Sequence, residues 1–260
     1  MSEQRTQESE AKRQPDWGLD APIVLRRMAF GGAVALIAGF AGLEFETARL
    51  GGPLSAVAPL GLGLGVGLLA TSAVMVWGSR YGKLRMRDRL LETISWRGDE
   101  QVLDVGCGHG LLLVGAAKRL TTGTAIGIDI WRSYDQADNT PELTKENARI
   151  EGVADQVEVQ DGDVRKLPFD DERFDVVVSS LAIHNIEDRT QRAKAIREVA
   201  RVLRPGGRVA IMDIYHTRQY RRVLLESGLL EVRRSRPNFM FLIPTFMVTA
   251  RRAPVERDTS

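Results

Sequence analysis

Uncharged residues fall along this chain in two long blocks and afterwards in many short ones. Met28–Leu43 is sixteen residues without a charge and Leu50–Ser79 is thirty, and nothing beyond residue 80 approaches either length. A helix that crosses a bilayer needs about 20 apolar residues. The second block exceeds that, while the first reaches it only if Arg27 and Glu44 extend from its ends to the interface. Gly51-Gly52-Pro53, between the blocks, breaks a helix and turns the chain. The pattern therefore predicts a transmembrane helical hairpin over 28–79, with helices at about 28–48 and 54–77. Gly61, Gly63, Gly65 and Gly67 contain two overlapping small-residue pairs at the spacing that lets helix backbones approach closely in lipid. A cleaved leader is the rival for the first block, but the mostly polar residues 1–27 make an unusually long lead for one. A buried helix pair of a soluble protein is the rival for both, and thirty uncharged residues fit it poorly.

From about residue 98 the pattern becomes short apolar runs alternating with amphipathic segments, as when strands alternate with helices. Strands are expected at 101–105, 124–129, 156–160, 174–180, 207–214, 229–235 and 245–251, and helices near 110–120, 140–151, 188–203 and 217–227. Thr140-Pro141 is a helix start, and Arg204-Pro205-Gly206-Gly207 a stop before the next strand. Right-handed crossovers of this kind wind into a parallel sheet covered on both faces, with ligands beyond the carboxyl ends of the strands. The expected organisation is a flexible polar tail (1–27), the hairpin (28–79), a basic juxtamembrane connector (80–97), an α/β domain (98–252) and a disordered tail (253–260).

Composition narrows the chemistry. One cysteine in 260 residues excludes a disulfide scaffold and a thiol-rich metal centre. A formal charge of +2 demands no nucleic-acid partner. Its distribution says more: Arg26 and Arg27 precede the first block, five basic residues and one acid occupy 80–89, and the connection between the blocks carries only Arg49. The positive-inside rule then places the C-terminal part in the cytoplasm.

The strongest local signal is VLDVGCGHG at 102–110. Gly106, Gly108 and Gly110 lie between a predicted strand and a predicted helix, where bare backbone turns tightly and lets a ligand approach. Such a loop also suits a dinucleotide pyrophosphate, so an NAD(P)-dependent oxidoreductase competes. Asp104, two residues before the first glycine, suits a cationic or amino-bearing ligand better than a pyrophosphate. Asp129 ends the second strand, where a carboxylate can accept both hydroxyls of a ribose. Asp163 and Val164 follow the third strand and offer an acceptor and a backbone N–H beside the same crevice. Any one of these acids could equally cap a turn or a helix, and their coincidence at three successive strand ends argues for a site.

These residues together resemble class I S-adenosylmethionine-dependent methyltransferases over about 98–251. VLDVGCGHG looks like the first motif of that family, IGIDI (126–130) the second, DGDVRKLPFDDERFDVVVSS (161–180) the adenine-binding and fourth-strand motifs, and REVARVLRPGGRVAIMDI (197–214) the helix, turn and fifth strand. The LPF after the third strand is similar to the ubiquinone/menaquinone-biosynthesis-like, small-molecule branch. The resemblance implies a Rossmann-like seven-stranded sheet of order 3-2-1-4-5-7-6 with the last strand antiparallel. It also implies S-adenosyl-L-methionine as cofactor, bound by Asp104, Gly106, Gly108, Gly110, Asp129, Ile130, Asp163, Val164 and Ser180, and no metal. SSLAIHNI after the fourth strand departs from the pattern of nucleic-acid base methylation, so a small, hydrophobic or membrane-associated acceptor is expected rather than a nucleic acid. A non-catalytic S-adenosylmethionine-binding subunit of a membrane complex is the alternative.

All three histidines fall just beyond predicted strand ends. His184 is the candidate general base, because imidazole titrates near neutrality; a loop histidine bonded to backbone is the competing role. His109 is expected beside the cofactor tail, and His216 with Tyr215 either flanks the acceptor or caps the following helix. Trp131 either covers the adenine or packs in the core.

Overall fold

The computed structural model describes residues 14–18, 22–47, 57–132, 139–239 and 243–255. It divides into two units, Leu19–Gly82 and Met1–Gly18 with Lys83–Ser260.

The first unit holds α1 (Pro22–Thr47) and α2 (Val57–Trp77). Helix α1 starts at Pro22 rather than at 28, because proline tolerates the first helical position, where its missing N–H has no partner to lose. The turn expected at Gly51-Gly52-Pro53 lies outside the described residues. Close approach between the helices depends on Gly39 and Gly61: a Cβ at Gly61 would stand 2.8 Å from both Ala35 O and Gly39 Cα. A Cβ at Gly65 would meet Leu36 Cγ at 2.6 Å, whereas Gly63 and Gly67 face nothing within 4 Å. Only one of the two small-residue pairs therefore lies in this interface. Phe30, Ile37, Phe40, Leu60 and Leu64 point outward and are exposed, the reverse of a soluble helix pair. Ile23–Glu44 and Ala58–Leu91 are both long and apolar enough to cross a membrane.

The second unit is built on a sheet of seven strands, β1 (Gln101–Val105), β2 (Thr124–Asp129), β3 (Val157–Asp161), β4 (Phe174–Ser180), β5 (Leu203–Asp213), β6 (Leu230–Arg234) and β7 (Phe246–Arg251). The spatial order is β3-β2-β1-β4-β5-β7-β6, with β7 antiparallel to both neighbours, as the resemblance implied. Alternate side chains feed two apolar layers. Leu103, Val105, Ile126, Ile128, Val177 and Ile211 enter one, and Val102, Ala125, Val176, Val178, Ala210 and Met212 the other. Burial on both faces is why these strands read as continuous apolar runs rather than alternating ones. The layers are covered by α3 (Lys83–Leu91), α4 (Leu111–Ala117), α5 (Pro141–Ile150), α6 (Arg189–Val202) and α7 (Thr217–Glu226). Thr140 caps α5 through Leu143 N, and Asp188 caps α6 through Gln191 N at 2.7 Å.

Two boundaries differ from expectation. The stretch read as a basic connector contains α3, whose Met86, Leu90 and Leu91 are fully buried in the second layer, so the larger segment of this unit starts at Lys83. Arg204-Pro205-Gly206-Gly207 does not precede β5 but lies within it, as a register shift between Phe174↔Leu203 and Val176↔Arg208. Residues 14–18, expected in a flexible tail, are docked on the same unit. Asp16 N donates to Asn147 Oδ1 at 2.9 Å, Asn147 Nδ2 donates back to Asp16 O at 2.7 Å, and Trp17 packs on the second layer.

Candidate active site

The carboxyl ends of β1, β2 and β3 gather the glycine loop and its acids. After Val105 the chain turns through Gly106 (φ 72°), and Gly106 and Cys107 both donate to Ile128 O, tying the loop to β2. A Cβ at Gly106 would stand 2.3 Å from Ala182 Cβ, so glycine is required there both by conformation and by space. Gly108 (φ 49°) and Gly110 (φ 82°) continue the turn into α4. Asp129 fastens the loop: Gly108 N donates to its Oδ2 at 2.9 Å and Trp131 N to its Oδ1 at 2.8 Å. Ile130 beside it is 47% exposed.

Asp104 is 1% exposed, and neither of its carboxylate oxygens has a hydrogen-bond partner. Burial raises its pKa to about 8, with a further push from Asp129, while the nearby Leu113 amide opposes the rise without making a well-aligned hydrogen bond. Asn139 was not anticipated from the sequence. It donates to Asp129 Oδ1 at 3.3 Å while its own Oδ1 is buried without a partner. Three buried side-chain oxygens near the glycine loop thus lack a hydrogen-bond partner. Leaving such groups unpaired is costly, so the arrangement suits a ligand that brings donors and positive charge. Cys107 is not a nucleophile candidate, since burial and the neighbouring acids hold its thiol far above the ordinary range.

At β3, Asp161 accepts from Trp131 Nε1 at 2.6 Å, and the indole packs on the second apolar layer, so Trp131 is partly a core residue. Asp163 is brought to the same rim but is engaged there: Arg165 Nε lies 2.9 and 2.8 Å from its two oxygens and holds its carboxyl below the ordinary value. An adenine amino group would share that carboxylate with Arg165. Val164 packs against the first apolar layer. His109 is buried, with Nδ1 3.1 Å from Asp16 O and its carbonyl accepting from Asn147 Nδ2.

The ends of β4 and β5 make a second group. Leu181, following Ser180, takes positive φ, and the next residues form a short 3-10 turn that carries His184. His184 Nδ1 lies 2.6 Å from Asp213 Oδ1, with ring and carboxylate turned out of hydrogen-bond alignment. Asp213 is fully buried and accepts from His184 N at 3.0 Å, Tyr220 OH at 3.1 Å and Ile214 N at 2.9 Å. Burial beside this carboxylate pushes the Tyr220 phenol well above its ordinary range, so it stays a donor. Tyr215 stands 6.3 Å from both the His184 and the His216 ring. His216 is the N-cap residue of α7 but makes no side-chain cap, and burial together with Arg192 lowers its pKa. Among the described residues, no group of three or more His, Cys, Asp or Glu is placed to hold a metal.

Comparison with known proteins finds methyltransferases. A methyltransferase-domain family model matches residues 103–211. The chain is 37% identical over 130 residues to "Methyltransferase GfsG" of Streptomyces halstedii, covering 50% of this chain and 43% of that one. It is 32% identical over 130 residues to the chloroplastic 2-phytyl-1,4-beta-naphthoquinone methyltransferase of Arabidopsis thaliana, covering 48% and 47%. The chain thus spans less than half the length of these curated relatives. Among solved structures, the geranyl diphosphate C-methyltransferase of Streptomyces coelicolor A3(2), in complex with Mg2+, geranyl diphosphate and S-adenosyl-L-homocysteine, shares the fold at a TM-score of 0.56 and 15% identity, covering 69% of this chain and 83% of that one.

Proposed function

We propose, from the premise that this chain carries a class I S-adenosylmethionine-dependent methyltransferase domain, that it transfers a methyl group to a small hydrophobic acceptor at a membrane. The observation that carries the reading is the set of unpaired buried acceptors, Asp104 Oδ1 and Oδ2 and Asn139 Oδ1, around the glycine loop. S-adenosylmethionine, when bound, supplies a sulfonium-activated methyl carbon together with ammonium, ribose hydroxyl and adenine donors. Asp104 answers the positive charge, Asp129 and Asn139 the ribose, and Asp163 and Val164 the adenine edge, with Gly106, Gly108 and Gly110 giving backbone access and Ile130 and Ser180 bordering the crevice.

The chain's own task is then to orient the acceptor, exclude water and remove a proton where the acceptor carries one. His184 is the base in this reading. Asp213, held by Tyr220 and the Ile214 amide, is a positioning residue: its carboxylate lies against Nδ1 and fixes the backbone of His184, leaving Nε2 to face the acceptor. The outward-facing apolar side chains of α1 and α2 support membrane insertion, and the flanking basic residues support a cytoplasmic catalytic unit. The quinone-type relative supports an isoprenoid or similar acceptor. The test uses the full chain in nonionic detergent. S-adenosylhomocysteine should bind in calorimetry and NADH should not, and labelled methyl groups should pass into a lipid-soluble product from a membrane extract. Binding of NADH alone, or no methyl incorporation, defeats the reading.

A further inference from the structure

The segment that runs from Tyr215 through α7 and β6 carries more positive charge than its own acids neutralise. From Tyr215 through Arg236 the sequence has six arginines and two acids. Both acids are committed: Glu226 faces Arg222 at 3.4 Å, and Glu231 takes Arg251 at 2.7 Å. Arg218 and Arg234 form no ion pair among the described residues.

Arg234 is fixed in place rather than loose on the surface. Its Nε donates to Thr217 Oγ1 at 2.8 Å, and its guanidinium lies 3.6 Å over the Phe246 ring. Thr217 itself is buried. Phe246 stands directly opposite Asp213 in the β5–β7 ladder, and directly opposed residues of antiparallel strands project to the same face. Arg234, Phe246, Asp213 and the His184 that Asp213 touches therefore share one face at the end of the sheet. Arg218 follows Thr217 in the first turn of α7, where the backbone N–H groups add positive potential and His216 provides no side-chain cap. Partial burial and the nearby Arg218 press the Arg234 guanidinium below its ordinary value, a strain that an anion would relieve.

We propose that Arg234 and Arg218, at the first turn of α7, bind an anionic group of the methyl acceptor, a carboxylate or a phosphate, and so select which acceptors present their nucleophile to His184. A guanidinium stacked on an aromatic ring keeps its edge N–H groups free for bidentate contact with a planar carboxylate or a phosphate. The inference rests on the acceptor site proposed above and adds its charge. A surface patch against anionic lipid is the competing explanation; the aromatic backing and the bond to a buried threonine favour a built site.

The experiment uses the full chain in nonionic detergent, with inorganic pyrophosphate and benzoate as probes and S-adenosylhomocysteine titrated separately. Wild-type protein should bind at least one probe, and the tighter one names the anion class. Arg234→Gln, Arg234→Lys and the exposed Arg218→Gln should each weaken that binding about tenfold or more, while the neighbouring Arg233→Gln leaves it unchanged and all variants keep S-adenosylhomocysteine affinity. No probe binding by wild type, or equal binding by every variant, overturns the proposal. So does a pattern in which the variants lose affinity only for phosphatidylglycerol vesicles. Failure of S-adenosylhomocysteine to bind wild-type protein would instead strike the cofactor reading.

Discussion

Asp104→Asn isolates the most strained group in the crevice. A carboxyl buried without partners, with its pKa at about 8, is protonated in the ligand-free fold at pH 7. In the unfolded chain the same group titrates near 3.8. Between those values the native state holds a proton that the unfolded state has released, so stability falls as pH rises from about 4 towards 8. At 1.36 kcal/mol per unit, the roughly three units between 3.8 and pH 7 amount to about 4 kcal/mol at most, since relaxation around the site reduces it. The ammonium group that S-adenosylhomocysteine brings favours the ionised form, so binding at pH 7 should expel close to one proton, and affinity should rise with pH up to about 8. The assay is calorimetric titration with S-adenosylhomocysteine at pH 7 in two buffers of different ionisation enthalpy, together with melting curves from pH 5 to 8. Wild type should show proton release and a melting temperature that falls across that range. Asp104→Asn should show neither slope, and should match or exceed wild-type stability at pH 8 while binding more weakly. Buffer-independent binding enthalpy in wild type, with equal pH slopes for the two proteins, would refute the assignment of Asp104 as the acid that meets the ligand's charge.

Three further outcomes are expected. Asp129→Ala should weaken S-adenosylhomocysteine binding by about 1.5–3 kcal/mol for each ribose bond lost, and should also free the Gly108 amide that Asp129 now holds; unchanged affinity removes it from the site. His184→Ala should lower kcat by about 10²-fold with cofactor affinity intact, and a wild-type kcat would end the general-base role. Gly61→Leu should open the hairpin, because its side chain would collide with the backbone at Ala35 and Gly39, whereas Gly63→Leu has open space; limited proteolysis in detergent should find the first variant labile and the second as resistant as wild type, and equal resistance would contradict the interface.

What the chain announces locally is what periodicity and single-residue conformation control. The continuous apolar runs of β1, β2 and β4 forecast a sheet buried on both faces, and the glycines at 106, 108 and 110 forecast a tight turn, which the structure makes with positive φ at all three. The placement of Asp104 and Asp129 near the carboxyl ends of β1 and β2 was legible because position along a strand of such a sheet already specifies position in space. The two long apolar blocks were legible for the same reason, since length and composition alone set them apart.

Contacts between residues far apart in sequence decided the rest. Asn139 became a candidate only because folding places it against Asp129 and leaves its carbonyl oxygen unpaired, a property no local pattern encodes. Asp213 meets His184 across 29 positions, and Asn147 holds Asp16 across 131. Helix α3 looked like a charged connector because its Lys and Arg residues outnumber Met86, Leu90 and Leu91, yet those three side chains fix its place in the core. Of the two glycine pairs in α2, packing against α1 selected Gly61 and Gly65 and left Gly63 and Gly67 open. In each case the sequence supplied side chains with several energetically similar uses, and only the tertiary fold determined which partner stood within reach.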